Sequence, residues 1–127
     1  MMKKIISTEK APAAIGTYSQ AVVHGNVLYT SGQIPIDPAS GEMLGPDFVQ
    51  QAHQVFKNLQ AVAKAANTSL DHALKLNVYL QDLNDFVALN EVMSKYLSEP
   101  YPARAAIQVA RLPKDSLIEI DAIIAIP

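Results

Sequence analysis

Arg104 is the residue of this sequence best suited to chemistry. It follows Tyr101-Pro102-Ala103 and leads into the apolar run Ala105-Ala106-Ile107. A guanidinium among apolar neighbours needs a partner, because an unpaired buried charge is costly. Two kinds of partner fit. One is an acid of the chain, Glu119 or Asp121, in a structural salt bridge. The other is a ligand carboxylate or phosphate, received through two parallel hydrogen bonds. Glu119 sits between Ile118 and Ile120. An acid there is either paired with Arg104 or placed to orient or activate a water. Asp121, two residues on, falls on the same face, and neighbouring carboxylates shift each other's pKa.

Thr30-Ser31-Gly32-Gln33 leaves a strand for a long loop. Ser31 can donate a hydrogen bond there, and Gly32 lets a ligand approach the backbone closely. Tyr18 and Asn90 single out no chemistry by themselves: a tyrosine near a strand is usually core, and a helical asparagine is usually solvated or bonded locally. Other chemistries are excluded. Without cysteine there is no thiolate metal site, iron–sulfur cluster, disulfide or thiol nucleophile. His24, His53 and His72 lack metal-ligand spacing. Neither a phosphate-cradling glycine loop nor a G-x-S-x-G nucleophile elbow is present.

The elements that must position these residues follow from periodicity. Lys3 to Ile6 reads as a short edge strand. Ser19–His24 and Val27–Thr30 form a hairpin about Gly25-Asn26. Residues 31–46 form a structured loop of a length that is often functional. Asp47 caps a helix whose apolar positions are Phe48, Ala52, Val55, Phe56, Leu59, Val62, Ala63 and Ala66, with Asn67 as its stop. Gln51 falls off that stripe. Leu74, Leu76, Val78 and Leu80 alternate with polar residues as a strand. Asp82 or Asn84 opens a second helix with the stripe Phe86, Leu89, Met93, Tyr96 and Leu97. Pro100 and Pro102 end it. Ala103–Ala110 and Leu117–Ile126 are strands. In the last, Ile118, Ile120, Ala122, Ile124 and Ile126 share one face, and Glu119, Asp121, Ile123 and Ala125 the other. Two helices cover only one face of such a sheet. The second face is partly apolar, so the expectation is a symmetric homo-oligomer that buries it.

The 127 residues are half apolar and 17% charged, which fits one α+β domain spanning residues 1–127. Net charge is −2 and basic residues are scattered, which argues against nucleic acid and anionic membrane as partners. The start, Met1 to Ile6, offers only two isoleucines, where a secretory leader needs about 7–15 apolar residues. The expected location is cytoplasmic.

Together these pieces resemble the reactive intermediate deaminase family, RidA, also called the YjgF family. The segments that carry the resemblance are 11–21, Leu28-Tyr29-Thr30-Ser31-Gly32-Gln33-Ile34-Pro35, and Gln81-Asp82-Leu83-Asn84-Asp85-Phe86 with Asn90-Glu91. To these are added Tyr101-Pro102-Ala103-Arg104 through Asp115 and Ile118-Glu119-Ile120. The resemblance implies a chorismate-mutase-like mixed sheet with two helices on one face, assembled as a homotrimer with clefts between subunits. It implies hydrolysis of 2-aminoacrylate and 2-iminobutyrate to 2-keto acids and ammonia, without metal or cofactor. By the same resemblance Arg104 grips the substrate carboxylate and Glu119 orients or activates water. Tyr18 lines the cleft, Ser31 and Gly32 contact the ligand, and Asn90 lies nearby. Thr17 stands where many members carry proline, and Ala106 where many deaminases carry cysteine. Arg104 would equally serve a non-catalytic trimer that binds 2-keto acids. The family has also been labelled ribonuclease and translation inhibitor, a label that the net charge of −2 opposes.

Overall fold

The computed structural model describes residues 2–127; Met1, the first residue of the segment read for a leader, lies outside them. The strands are β1 Lys4–Ile6, β2 Ala21–His24, β3 Val27–Thr30, β4 Ala73–Leu80, β5 Ala103–Gln108 and β6 Ile118–Ala125. The helices are α1 Phe48–Ala65 and α2 Phe86–Met93. One six-stranded sheet has the order β1-β2-β3-β6-β4-β5. Every neighbouring pair is antiparallel except β4 and β5. That parallel pair needs a crossover, which α2 supplies. Both helices pack on one face of this mixed sheet, as expected.

Local chemistry explains where the elements start and stop. The Asp47 carboxylate accepts from the Gln50 N–H at 3.0 Å and caps α1. Phe48, Ala52, Val55, Phe56, Leu59, Val62 and Ala63 are all buried along one stripe. Each large apolar side chain of this kind contributes about 1.5–3 kcal/mol when fully buried. Asn67 ends the helix in the left-handed region, at φ 59°. Its N–H reaches Lys64 O and that of Thr68 reaches Ala63 O, both at 3.0 Å, so the last carbonyls are satisfied.

Three sequence expectations need correction. Leu74 is 50% exposed, because the β4–β6 register slips between Ala73 and Lys75 and turns it off the core face. Gln51 is buried rather than off the stripe. Its amide joins two distant backbone segments, donating to Gly45 O and accepting from Leu117 N–H, both at 2.9 Å. The regular part of α2 ends at Met93, short of Leu97. Beyond it the N–H groups of Lys95 and Tyr96 bond three residues back, which tightens the coil. Asp82 opens this segment by accepting from Asn84 N–H at 2.8 Å, ahead of the single 3-10 turn that leads into α2.

β6 alternates as read. Ile118, Ile120, Ala122 and Ile124 are buried beneath the helices, and the residues between them are only partly covered. Pairing carries that second face across the sheet. It exposes Ile5, Tyr29 and Ile107 at 51%, 43% and 49%.

Candidate active site

Glu119 projects from the face of β6 opposite the helices, since Ile118 and Ile120 on either side are fully buried. It lies against Gly32. A Cβ added to Gly32 would stand 2.9 Å from Glu119 Cδ and closer still to Oε2. Glycine at residue 32 is therefore a steric requirement of the carboxylate's position. The backbone here is fixed by a bridge between Gln33 and Ile120, whose N–H groups each bond the other's carbonyl at 2.8 and 3.1 Å. Burial lifts the Glu119 carboxyl above its ordinary value, and the charge of Asp121 adds to the shift. Asp121 shares the face as read. It accepts from Asn77 Nδ2 at 2.8 Å and from the Tyr79 hydroxyl at 3.1 Å.

Tyr18 and Ser31 share a groove of about 580 Å³ with Gly32 and Glu119. Tyr18 stands 52% exposed over it, its hydroxyl accepting from Ile15 N–H at 3.2 Å. The Ser31 hydroxyl donates to Ser19 O at 2.5 Å. That leaves the oxygen lone pairs of Ser31 as acceptors. Lys114 also lines the groove, on a turn where it and Asp115 both hold positive φ, 55° and 54°. Backbone of this kind is uncommon in non-glycine residues and clusters at functional sites.

Arg104 and Asn90 form a second cluster. Arg104 Nη1 donates to Asn90 Oδ1 at 2.7 Å and faces Met93 Sδ at 3.6 Å. Its guanidinium lies 5.0 Å from the centroid of the Phe86 ring, within cation–π range. All three contacts come from α2, so helix and edge strand hold the group jointly. It borders a cavity of about 340 Å³ walled by Met93, Leu97, Tyr101 and Pro102. Arg104 is exposed at the sheet edge and makes no ion pair with Glu119 or Asp121, so the salt-bridge alternative does not hold. The register explains why. Arg104 pairs with Leu76 and shares its helix-side face, whereas Glu119 pairs with Tyr79 on the opposite face. Within one chain the residues expected in one site therefore form two half-sites on opposite sides of the sheet.

The sequence reading missed the residues that pin the loops. Gln20 is buried. It accepts from Thr8 N–H at 2.6 Å and donates to the carbonyls of Thr8 at 2.9 Å and Pro12 at 2.7 Å, which fixes the segment leading to Tyr18. Asn58, fully buried in α1, donates to the carbonyls of Ile34 at 3.3 Å and Ile36 at 3.0 Å. The one available signal was an amide set within an apolar stretch. Phe86 was read only as part of the helix stripe.

Comparison with known proteins decides the family. Residues 8–126 match the model of the family described as Endoribonuclease L-PSP. The chain belongs to the RidA/YjgF family. It is 52% identical over 122 residues to a RutC family protein of Pyrococcus horikoshii, covering 96% of this chain and 97% of that one. It is 49% identical over 123 residues to the 2-iminobutanoate/2-iminopropanoate deaminase of Rattus norvegicus, covering 97% and 90%. Among solved structures, RidA from the Antarctic bacterium Psychrobacter sp. PAMC 21119 superposes with a TM-score of 0.93 at 54% identity, covering 97% of this chain and 99% of that one. E. coli TdcF with bound serine superposes with a TM-score of 0.92 at 43% identity, covering 98% and 99%. Among the described residues of this RidA-family chain, no helix is long and apolar enough to cross a membrane.

Proposed function

We propose that this RidA-family protein hydrolyses 2-imino acids, such as 2-iminobutyrate and the imine tautomer of 2-aminoacrylate, to 2-keto acids and ammonia. The observation that carries the reading is Arg104. Its guanidinium is held by Asn90 and Phe86 and has no carboxylate partner among the described residues, beside a cavity with an apolar wall. Such a group suits a small carboxylate with an apolar substituent. The naming of the rat relative as a 2-iminobutanoate/2-iminopropanoate deaminase points to the same chemistry.

In this reading Arg104 and Glu119 act in one site across a subunit boundary. The half-sites lie on opposite faces of one sheet, and the Glu119 face exposes apolar surface that suits burial by another copy. A homotrimer with chorismate-mutase-like packing and head-to-tail interfaces would repeat one composite cleft around the ring. Arg104 of one subunit fixes the substrate carboxylate. The neighbour contributes Tyr18, Ser31, Gly32 and Glu119.

The protonated imine nitrogen donates to the Ser31 oxygen. A water beside Glu119 attacks the imine carbon and gives its proton to the carboxylate. The new C–O bond takes the place of the C=N π bond, whose electron pair moves to nitrogen. Glu119 returns that proton to nitrogen. The carbinolamine hydroxyl then gives its own proton to the freed carboxylate as the C–N bond breaks, so the keto group forms, ammonia leaves, and Glu119 passes the proton on to the departing ammonia. An iminium carbon is already electrophilic, so orientation of one water is the main task. A Glu119 carboxyl lifted above its ordinary value suits a group that must both take and return a proton.

The test is a coupled assay. A threonine dehydratase generates the imine from threonine in a buffer that slows spontaneous hydrolysis, and 2-keto acid formation is followed with and without this protein. Acceleration that is lost in Arg104→Ala supports the reading. No acceleration by the folded protein refutes it.

A further inference from the structure

Arg104 does not contact only a polar acceptor. Its Nη1 also faces the thioether sulfur of Met93 at 3.6 Å. Met93 is 7% exposed, and what remains open faces the cavity beside Arg104. A thioether is a weak acceptor, so this contact leaves Arg104 available to a ligand. A sulfoxide at the same position would differ. Its oxygen is a strong acceptor, set in a cavity lined by Leu97, Tyr101 and Pro102 together with Asn90 and Ser94, the Ser94 hydroxyl already donating to Glu91 O. The guanidinium is the donor already beside it. An oxygen added to Sδ therefore bonds Arg104 and competes with the carboxylate that Arg104 would otherwise bind.

We propose that Met93 is a reversible oxidation site whose sulfoxide occupies Arg104 and lowers affinity for carboxylate substrates. The step balances with a peroxide as oxidant. The sulfur lone pair attacks one peroxide oxygen, the O–O bond breaks, an S–O bond forms, and water leaves. Sulfur is oxidised by two electrons and the peroxide is reduced. Methionine sulfoxide reductases reverse this change with thiol reductant. A peroxide is smaller than a 2-imino acid, so any route that admits substrate to Arg104 admits the oxidant. The chain has no cysteine, so its sulfur redox chemistry rests on methionine. Of the described methionines, Met93 is the one whose sulfur faces Arg104; Met2 is 90% exposed at the start of the chain and Met43 bridges Ile36.

The proposal rests on the assignment of Arg104 as the carboxylate-binding group. The test treats the protein and Met93→Leu with graded hydrogen peroxide. Peptide mass spectrometry measures the oxidation of each methionine. Deaminase KM and 2-ketobutyrate binding are measured on the same samples, each treated sample against its own untreated protein. The unsubstituted protein should lose affinity by roughly tenfold or more, as expected for a charge-assisted hydrogen bond to a competitor. The loss should track the Met93 sulfoxide fraction and reverse with the reductases, while Met93→Leu keeps its untreated affinity. Equal losses in both proteins would overturn the proposal. So would a Met93 that stays unoxidised at doses that oxidise Met2 and Met43, or a Met93 sulfoxide without loss of affinity. Absence of turnover in untreated protein is a separate result that refutes the deaminase reading, and 2-ketobutyrate binding then still reads the oxidation effect.

Discussion

Replacing Gly32 with alanine isolates the placement of Glu119 from every other feature of the site. The backbone at Gly32 does not need positive φ, so the cost is steric. The new Cβ would stand 2.9 Å from Glu119 Cδ and 3.2 Å from Cγ, and nearer to Oε2. The loop cannot easily retreat, because the Gln33–Ile120 bridge ties it to β6. Glu119 must therefore rotate away. The colliding atoms are the end of a flexible side chain beside an open groove, so the shift costs about 0.5–1.5 kcal/mol rather than a core overpacking penalty. At this scale the protein stays folded and its Tm drops by several degrees. Activity should suffer far more. A displaced general base forfeits on the order of 100-fold or more in kcat. KM should change little, because Arg104 is untouched. The assay is imine hydrolysis across a substrate series, with thermal melts of each protein. The double variant Gly32→Ala with Glu119→Gln should be little worse than Glu119→Gln alone, since both changes remove the same group. A Gly32→Ala enzyme with unchanged kcat would refute the reasoning, as would fully additive losses in the double variant.

Asn90→Leu removes the 2.7 Å acceptor that aims Arg104, so KM should rise about tenfold with kcat nearly constant, which steady-state kinetics will show. Asn58→Ala leaves the Ile36 carbonyl without its Asn58 donor, the Ile34 carbonyl keeping its bond from Ile36 N–H, and should destabilise the fold by about 1–3 kcal/mol, read as a lower denaturant midpoint. Glu119 has a folded pKa raised above its ordinary 4.5, so its contribution to stability is full below that value and is lost as pH rises through the folded one. In the proposed mechanism turnover uses the carboxylate, so activity should climb over the same window. Asp121→Asn removes the neighbouring charge that raises Glu119, so the acid limb of the pH–rate profile should move to lower pH.

Much of the scaffold was legible because two periods dominate it. The alternation from Ile118 and the helical spacing from Phe48 to Ala66 each put one apolar face on the core. Burial agrees with both as far as Ile124 and Ala66, while Ile126, past the end of the strand, is only partly buried. Asp47 and Asn67 were readable because caps act within a few residues of themselves. Leu74 was misplaced because a one-residue slip leaves no mark in composition. Gln20, Gln51 and Asn58 were missed because their partners are backbone groups of distant loops. The opposition of Arg104 and Glu119 was beyond reach for a related reason. Period 2 assigns faces within a strand, but only the β5–β4–β6 register tells which face of one strand continues another.

The most direct measurement of the central claim mixes two disabled proteins. Arg104→Ala and Glu119→Gln should each be nearly inactive in imine hydrolysis. Unfolded together and refolded in equal amounts, they should regain activity, because every mixed ring contains one boundary with both wild-type residues. For random trimers the recovered rate is about a quarter of wild type. Recovery near that level supports a composite imine-hydrolysing cleft. A fully mixed, folded oligomer that regains nothing would contradict it.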